Sequence, residues 1–272
     1  MKNRTRESTS QPLTAEQEIT RINLREGSVE KMKDEVIVES TIELHINDEH
    51  YAAFLFSPSD VKELVVGHLL SEGIIESLLE IKSLEISKGS VDVLLTKETS
   101  SRSSMAPQLI RTECGSGAGS IPPRLWMKPR GVKDAVSVRF SPEIIIESVR
   151  TLNSSADVFR RTGGTHASAL FDESGKALAF SEDIGRHNAI DKVVGKAALK
   201  GVDFKRTLLA STGRLTSEMV AKAAQLAIPL IVSMSAPTDK GIKMAEMTGL
   251  TLIGFARGKR FNIYSHPERV ER

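Results

Sequence analysis

The residue in this chain best suited to covalent chemistry is Cys114, its only thiol. It lies in Arg111-Thr112-Glu113-Cys114-Gly115-Ser116-Gly117-Ala118-Gly119. The glycines leave the sulfur unhindered, and Arg111 favours the reactive thiolate. A buried structural cysteine belongs in an apolar segment, and this one is not apolar. An incidental surface cysteine has the same composition around it, so composition leaves both readings open. One cysteine allows neither a disulfide within the chain nor a cysteine-built zinc site. That usage suits a reducing compartment, and the expectation is a cytoplasmic protein without a bound metal.

Non-covalent chemistry has several candidate carriers. Three loops are small, polar and placed between an expected strand and an expected helix: Ser181-Glu182-Asp183-Ile184-Gly185-Arg186-His187-Asn188, Ser211-Thr212-Gly213-Arg214-Leu215-Thr216, and Ser235-Ala236-Pro237-Thr238-Asp239. In an open α/β sheet such loops collect beyond the carboxyl ends of the strands. Helix N-termini offer free N–H groups to anions, and Arg186 and Arg214 add guanidinium forks that match phosphate. Arg161-Thr162-Gly163-Gly164-Thr165-His166 brings a glycine pair that permits close approach to a ligand. His166 and His187 are candidate donors to a base or phosphate. Phe255-Ala256-Arg257-Gly258-Lys259-Arg260 places three cations around a glycine, with Phe255 able to pack on a planar ring. Helix caps, a flexible turn and an exposed basic turn would produce the same stretches. Neither a phosphate-binding Gly-x-x-x-x-Gly-Lys-Ser/Thr loop nor a Gly-x-Gly-x-x-Gly turn is present. The His-x-Glu and Pro-Cys-x-x-Cys signature of zinc deaminases is missing too, since His166 is followed two residues on by Ser168.

The elements that must position these residues suggest a fold that is α+β overall, with an α/β half. Residues 1–18 read as a disordered polar tail with no apolar leader. Residues 19–95 form a β-rich α+β region. Within it, 36–57 alternate apolar and polar about Asn47-Asp48, which predicts a hairpin. A helix follows, with Ser57 as its cap, Pro58 at its start and Gly73 at its end. Short strands are expected near 81–95. Residues 96–135 show no period and carry Cys114 and the only Trp, Trp126. They read as a mobile loop and as the boundary between halves. Residues 136–272 alternate helices (142–152, 187–200, 216–227, 239–248) with strands (167–171, 176–180, 207–211, 229–235, 250–256). Such alternation predicts a parallel or mixed sheet under helices. A net charge of only +2 and few aromatics argue against nucleic acid as partner. No run of about eighteen apolar residues suggests a membrane span.

One resemblance covers most of the chain. It rests on Arg161 to His166, on Glu182-Asp-Ile-Gly-Arg-His-Asn-Ala-Ile-Asp-Lys192, and on Ser211 to Arg214. It continues through Ser217-Glu-Met-Val220, Ser235 to Thr238, Gly254 to Arg257, Arg260 to Tyr264, and Glu72-Gly-Ile-Ile75. These residues resemble the formate dehydrogenase accessory protein family, the FdhD-type sulfur carriers. The resemblance implies a protein that accepts persulfide sulfur from a cysteine desulfurase. It passes the sulfur to the molybdenum or tungsten bis(pterin guanine dinucleotide) cofactor used by formate dehydrogenase. It also implies binding of that cofactor and of a GDP-like guanine nucleotide, a homodimer, and a C-terminal cytidine-deaminase-like fold without zinc. Cys114 matches the first cysteine of the family's Cys-Gly-x-Cys-Gly loop, the persulfide carrier. Phe255, Ala256, Arg257, Gly258, Lys259 and Arg260 match a segment assigned to cofactor binding. Gly163, Gly164, His166, Arg186, His187, Asn188, Ser211, Thr212, Gly213 and Arg214 are expected to complete the nucleotide pocket. Gly117 stands where the family has its second cysteine, so Cys114 must act without a resolving thiol in its own subunit. A carrier whose loop swings between two partners is the first expectation. A non-covalent cofactor chaperone is the second, and a deaminase-type enzyme ranks last.

Overall fold

The computed structural model describes residues 11–96, 108–110, 132 and 138–271. Cys114 and Trp126 lie outside the described residues, and so does the expectation of a swinging loop. Two strands come first, β1 (Thr14–Asn23) and β2 (Ser28–Ile37), paired antiparallel over their full length as a separate two-stranded sheet. β1 begins inside the stretch expected to be tail. Most of its side chains are polar and exposed, so no apolar face marked it as a strand.

The expected hairpin is present as β3 (Ser40–Ile46) and β4 (Glu49–Phe56). Asn47 and Asp48 take φ of 52° and 67°, the left-handed pair that a two-residue hairpin needs. With β5 (Ile81–Ser87), β6 (Ser90–Leu95) and the short β7 (Gln108–Ile110), they form a five-stranded sheet in the order β5-β6-β3-β4-β7. β7 corrects the expectation that 96–135 holds no regular structure: its backbone pairs in parallel with β4.

Helix α1 (Val61–Ser71) follows β4. Its N-cap is Asp60, at φ 54° and without a side-chain cap bond, not Ser57 as expected. Ser57 is drawn elsewhere: its N–H donates to Asp183 Oδ2 at 3.1 Å, and its Oγ accepts from Ile184 N–H at 3.0 Å. The side-chain oxygen that would cap α1 is thus taken by a backbone N–H that has to be satisfied away from water, whereas water can solvate the helix end.

The rest of the chain builds a mixed six-stranded sheet. In chain order come α2 (Pro142–Ser155), α3 (Asp157–Thr162), β8 (His166–Asp172), β9 (Ala177–Asp183), α4 (Arg186–Leu199), β10 (Thr207–Ser211), α5 (Ser217–Gln225), β11 (Leu230–Ser233), α6 (Asp239–Thr248), β12 (Thr251–Arg257) and β13 (Arg260–Ser265). The strand order is β13-β12-β11-β10-β8-β9, with β10, β11 and β12 parallel and the other pairings antiparallel. β13 and α3 were not expected from the sequence. Ser141 caps α2 by accepting from Ile144 N–H, with Pro142 in the first turn, as expected.

Alternation along the central strands sends side chains to two faces. Leu208 and Ala210 pack with Ile145, Val149 and Leu152 of α2. Leu209 and Ile231 face the other way, into a core shared with Ile190 and Val193 of α4, Met219 of α5 and Met244 of α6. That second core also takes in Leu44, Phe54, Leu64, Leu69 and Val91. The boundary at 96–135 therefore divides the topology, while hydrophobic packing crosses it. Where α1 meets α4 both helices present glycine: a Cβ on Gly67 would stand 1.7 Å from the Asp191 carbonyl oxygen, and one on Gly195 1.9 Å from that of Glu63.

Candidate functional site

β9, β10, β11 and β12 run in one direction and β8 runs against them. Their geometry brings the carboxyl ends of four strands and the N-terminus of β8 to one edge of the sheet. The loops there interlock. Leu215 forms an isolated parallel bridge with Pro237, Phe255 N–H donates to Ser235 O at 3.1 Å, and Ser233 Oγ donates to Gly213 O at 2.7 Å. Gly213 lies against Arg186, whose Cβ would be 2.9 Å from a Cβ placed there. A side chain at 213 would push Arg186 out of place.

Most of the expected site residues meet along this edge. His166 Nδ1 is 3.3 Å from Thr212 Oγ1, which also accepts from Ala167 N–H. Burial lowers the proton affinity of His166, and the charges of Arg186, His187 and Arg214 lower it further. An imidazole held neutral beside two guanidinium groups offers an N–H without adding a third full charge. His187 Nε2 lies 3.2 Å from Glu218 Oε2. Neither α4 nor α5 is capped by its own side chain: Gly185 and Thr216 make no cap bond, whereas Thr238 caps α6 by accepting from Gly241 N–H. The first-turn N–H groups of α4 and α5 therefore lack side-chain caps close to Arg186, His166 and Arg214, the composition of an anion site.

Farther along the edge, the pairing of β12 with β13 shifts register between Gly254 and Arg257. Such bulges re-aim side chains beside functional sites. Phe255 takes φ 54°, strained for a bulky residue, and the Arg257 guanidinium sits over its ring at 5.9 Å. Arg257, Gly258, Lys259 and Arg260 are exposed, while Ala256 is buried in the α2 core. A shallow groove of about 180 Å³ opens here between α2 and the β12–β13 turn, floored by Ile146, Val149, Met234 and Ala256.

Several expected residues are placed differently. Asn188 is buried, and its Nδ2 donates to Leu55 O at 2.8 Å and to Asp183 Oδ1 at 3.0 Å. Ser211 is buried too, and its Oγ accepts from Gly213 N–H at 3.2 Å, which shapes the loop from below. Gly163 closes α3 at φ 68°. The room left by Gly164 is filled by Ile37 of β2, 2.7 Å from a would-be Cβ, in place of the ligand expected there.

The charged residues beneath the edge form the machinery that sequence reasoning missed. Asp183 accepts from Gly185 N–H, Asn188 Nδ2 and Ser57 N–H, and pairs with Lys192 at 2.6 Å, both side chains fully buried. Lys192 also donates to Ser57 O at 2.9 Å. A second buried knot joins Lys222 to Asp191 at 2.9 Å and to Glu72 at 2.8 Å, with Ser71 and His68 completing the Asp191 shell. Buried ions survive when paired and hydrogen-bonded all round, and both knots are. The first ties the β4–α1 connection to the floor of the edge, and the second ties the C-terminal end of α1 to α4 and α5. The available signal was a charged Asp191-Lys192 pair inside the apolar face of Ile190, Val193 and Val194. Among the described residues no group of three or more His, Cys, Asp or Glu is placed to hold a metal ion, and no helix is long and apolar enough to cross a membrane.

Comparison with known proteins agrees with this layout. A sulfur carrier protein FdhD of Bacillus subtilis is 35% identical over 249 residues, covering 90% of this chain and 94% of that one. The protein of that name from Wolinella succinogenes is 39% identical over 243 residues, 88% of this chain and 83% of its own. A crystal structure described as that of a formate dehydrogenase accessory protein from Desulfotalea psychrophila superposes with a TM-score of 0.77 at 26% identity. It covers 96% of this chain and 100% of the other. The FdhD/NarQ family profile matches residues 37–271, which include every loop of the edge and both buried knots, and the chain belongs to that family.

Proposed function

We propose that this protein is a sulfur carrier in the maturation of formate dehydrogenase. Relatives named sulfur carrier protein FdhD support the reading. The observation that carries it is the convergence of His166, Arg186, His187 and Arg214 with the uncapped ends of α4 and α5, a site for a phosphate-bearing ligand. The ligand is the molybdenum or tungsten bis(pterin guanine dinucleotide) cofactor, taken as substrate, and a GDP-like nucleotide is its simplest mimic. Its phosphates lie toward the arginines and helix ends. Phe255 to Arg260 flank a second part of the same ligand.

Cys114 supplies the covalent step. Its thiolate attacks the outer sulfur of a persulfide on a cysteine desulfurase. A new S–S bond forms to Cys114, the old one breaks, and the desulfurase thiolate leaves and takes up the proton. No oxidant is needed. With Gly117 in the second position, no neighbouring thiol can cleave the product. The apo formate dehydrogenase and a second copy of the chain are the further partners of this scheme, which runs in the cytoplasm. Its sheet follows a deaminase-like plan without zinc, for which elemental analysis is the check.

The first test is intact-mass analysis after incubation with desulfurase and cysteine. Wild type is expected to gain one sulfur atom, lost on reduction, and Cys114→Ala to gain none. Retained GDP binding without that gain would favour the non-covalent chaperone.

A further inference from the structure

Two carboxylates stand open at this edge, Asp239 in the first turn of α6 and Glu218 in that of α5, and only Glu218 is paired with a histidine of the neighbouring helix end. Glu218 has its side chain 36% exposed, beside residues suited to anions. One oxygen, Oε2, is paired with His187 Nε2 at 3.2 Å. Among the described residues the other, Oε1, has no hydrogen-bond partner. The close pairing with His187 outweighs burial and, with the charges of Lys222 and Arg186, holds Glu218 below the ordinary carboxylate range. It is an anion at neutral pH. A phosphate is repelled by it, so phosphates belong on the Arg186–Arg214 side, and Glu218 must face a part of the ligand that donates.

A fixed carboxylate is the complement of two coplanar N–H donors side by side. A 2-amino-4-oxopyrimidine edge offers that pair, a ring N–H next to an exocyclic amino group. Adenine presents an acceptor in place of the ring N–H and leaves one carboxylate oxygen facing a lone pair. We propose that Glu218 reads a 2-amino-4-oxopyrimidine edge, and that His187 is the positioning residue that fixes its Oε2. Guanine and pterin both carry this edge. The inference rests on the reading of the edge as a site for a phosphate-bearing ligand, and it adds the residue that decides which ring is accepted.

The test is equilibrium binding to the full chain, wild type and Glu218→Gln, of GDP, IDP, ADP, a simple pterin and inorganic pyrophosphate. Wild type is expected to prefer GDP over ADP and over IDP, which lacks the amino group. Loss of a charged bidentate contact is expected to weaken the cognate ring about tenfold or more, while ADP and pyrophosphate change little. A loss confined to GDP assigns the guanine, and a loss confined to the pterin assigns the pterin. His187→Gln should weaken the same ring more mildly. Glu218→Gln with unchanged melting temperature and wild-type affinity for both GDP and the pterin would overturn the proposal. An equal loss for all five probes would also overturn it and leave Glu218 as a support for His187. Failure of wild type to bind any probe, pyrophosphate included, would remove the anion-site reading and this inference with it.

Discussion

Gly67→Ala is expected to leave little or no folded protein. The added Cβ would lie 1.7 Å from the Asp191 carbonyl oxygen and 2.8 Å from the Gly195 amide nitrogen. Both are backbone atoms of a helix, so no rotamer change relieves the overlap. Helices α1 and α4 would have to part by roughly 1.5 Å across a close-packed core. Alanine gains up to about 1 kcal/mol of helix propensity over glycine. Overpacking of side chains alone typically costs about 1–3 kcal/mol, and displaced backbone costs more, on the order of 4 kcal/mol or above. Against a total stability of about 5–15 kcal/mol, the overlap wins. Gly195→Ala, 1.9 Å from Glu63 O, should behave alike. Soluble yield and a urea melt decide the matter: a variant with the wild-type midpoint would show that the helices do not cross this closely.

Lys222→Met is the second large effect, and its sign depends on pH. In the wild type, burial pushes Asp191 up, but Lys222 and the His68 hydrogen bond outweigh it and hold the carboxyl at about 2. Burial likewise disfavours charged Lys222, and Asp191 and Glu72 more than offset it, so its pKa is raised. The depressed carboxyl contributes about 2 kcal/mol, fully present above its ordinary pKa near 4 and lost as pH falls through about 2. The raised lysine contributes below its ordinary pKa and fades only in strong alkali. The contributions of Asp191 and Lys222 are therefore flat between pH 5 and 7. Removing Lys222 leaves Asp191 buried beside Glu72 without their cation, a loss of about 3–5 kcal/mol at neutral pH. Burial and repulsion then raise the carboxyl pKa values, so the folded variant binds a proton more tightly than the unfolded chain. Its stability should recover as pH drops from 7 to 5, and Asp191→Asn added to Lys222→Met should restore part of it at pH 7. Urea melts at the two pH values test this. A variant as stable as wild type at pH 7, or one that only loses stability on acidification, would show that the knot is not what holds α5 to α1 and α4.

The legible parts of the molecule were those in which local chemistry and burial agree. Asn47-Asp48, Ser141-Pro142 and the alternating segments from 167 to 256 announce their elements because turn residues, caps and apolar period coincide there. That the edge loops lie together was legible from their shared place between strand and helix, which collects them beyond the carboxyl ends of the strands. β1 and β2 were not, since a ribbon outside any core needs no apolar face. A polar residue type gives no sign of which way its side chain points: Asn188 and Ser211, expected among the ligand-facing residues, lie buried beneath the edge. Lys192 and Lys222 are invisible to periodicity, because a charge on an apolar helix face reads as an interruption until its buried partners, Asp183 and Asp191, are brought in from distant segments.

The β1–β2 ribbon gives the chain two tiers of cooperativity. Its ten residue pairs are fastened to the body mainly near one end, through the Arg161–Glu35 ion pair and the contact of Ile37 with Gly164. At the other end Ile22, Leu24 and Val29 stand exposed. Two strands alone are marginal in water, so this arm opens at a free energy far below that of the cores. The family match begins at residue 37, where the arm ends. Heat or denaturant will fray the arm while the six-stranded sheet and its edge stay intact, so a melt followed in the arm and one followed at the sheet edge record different transitions.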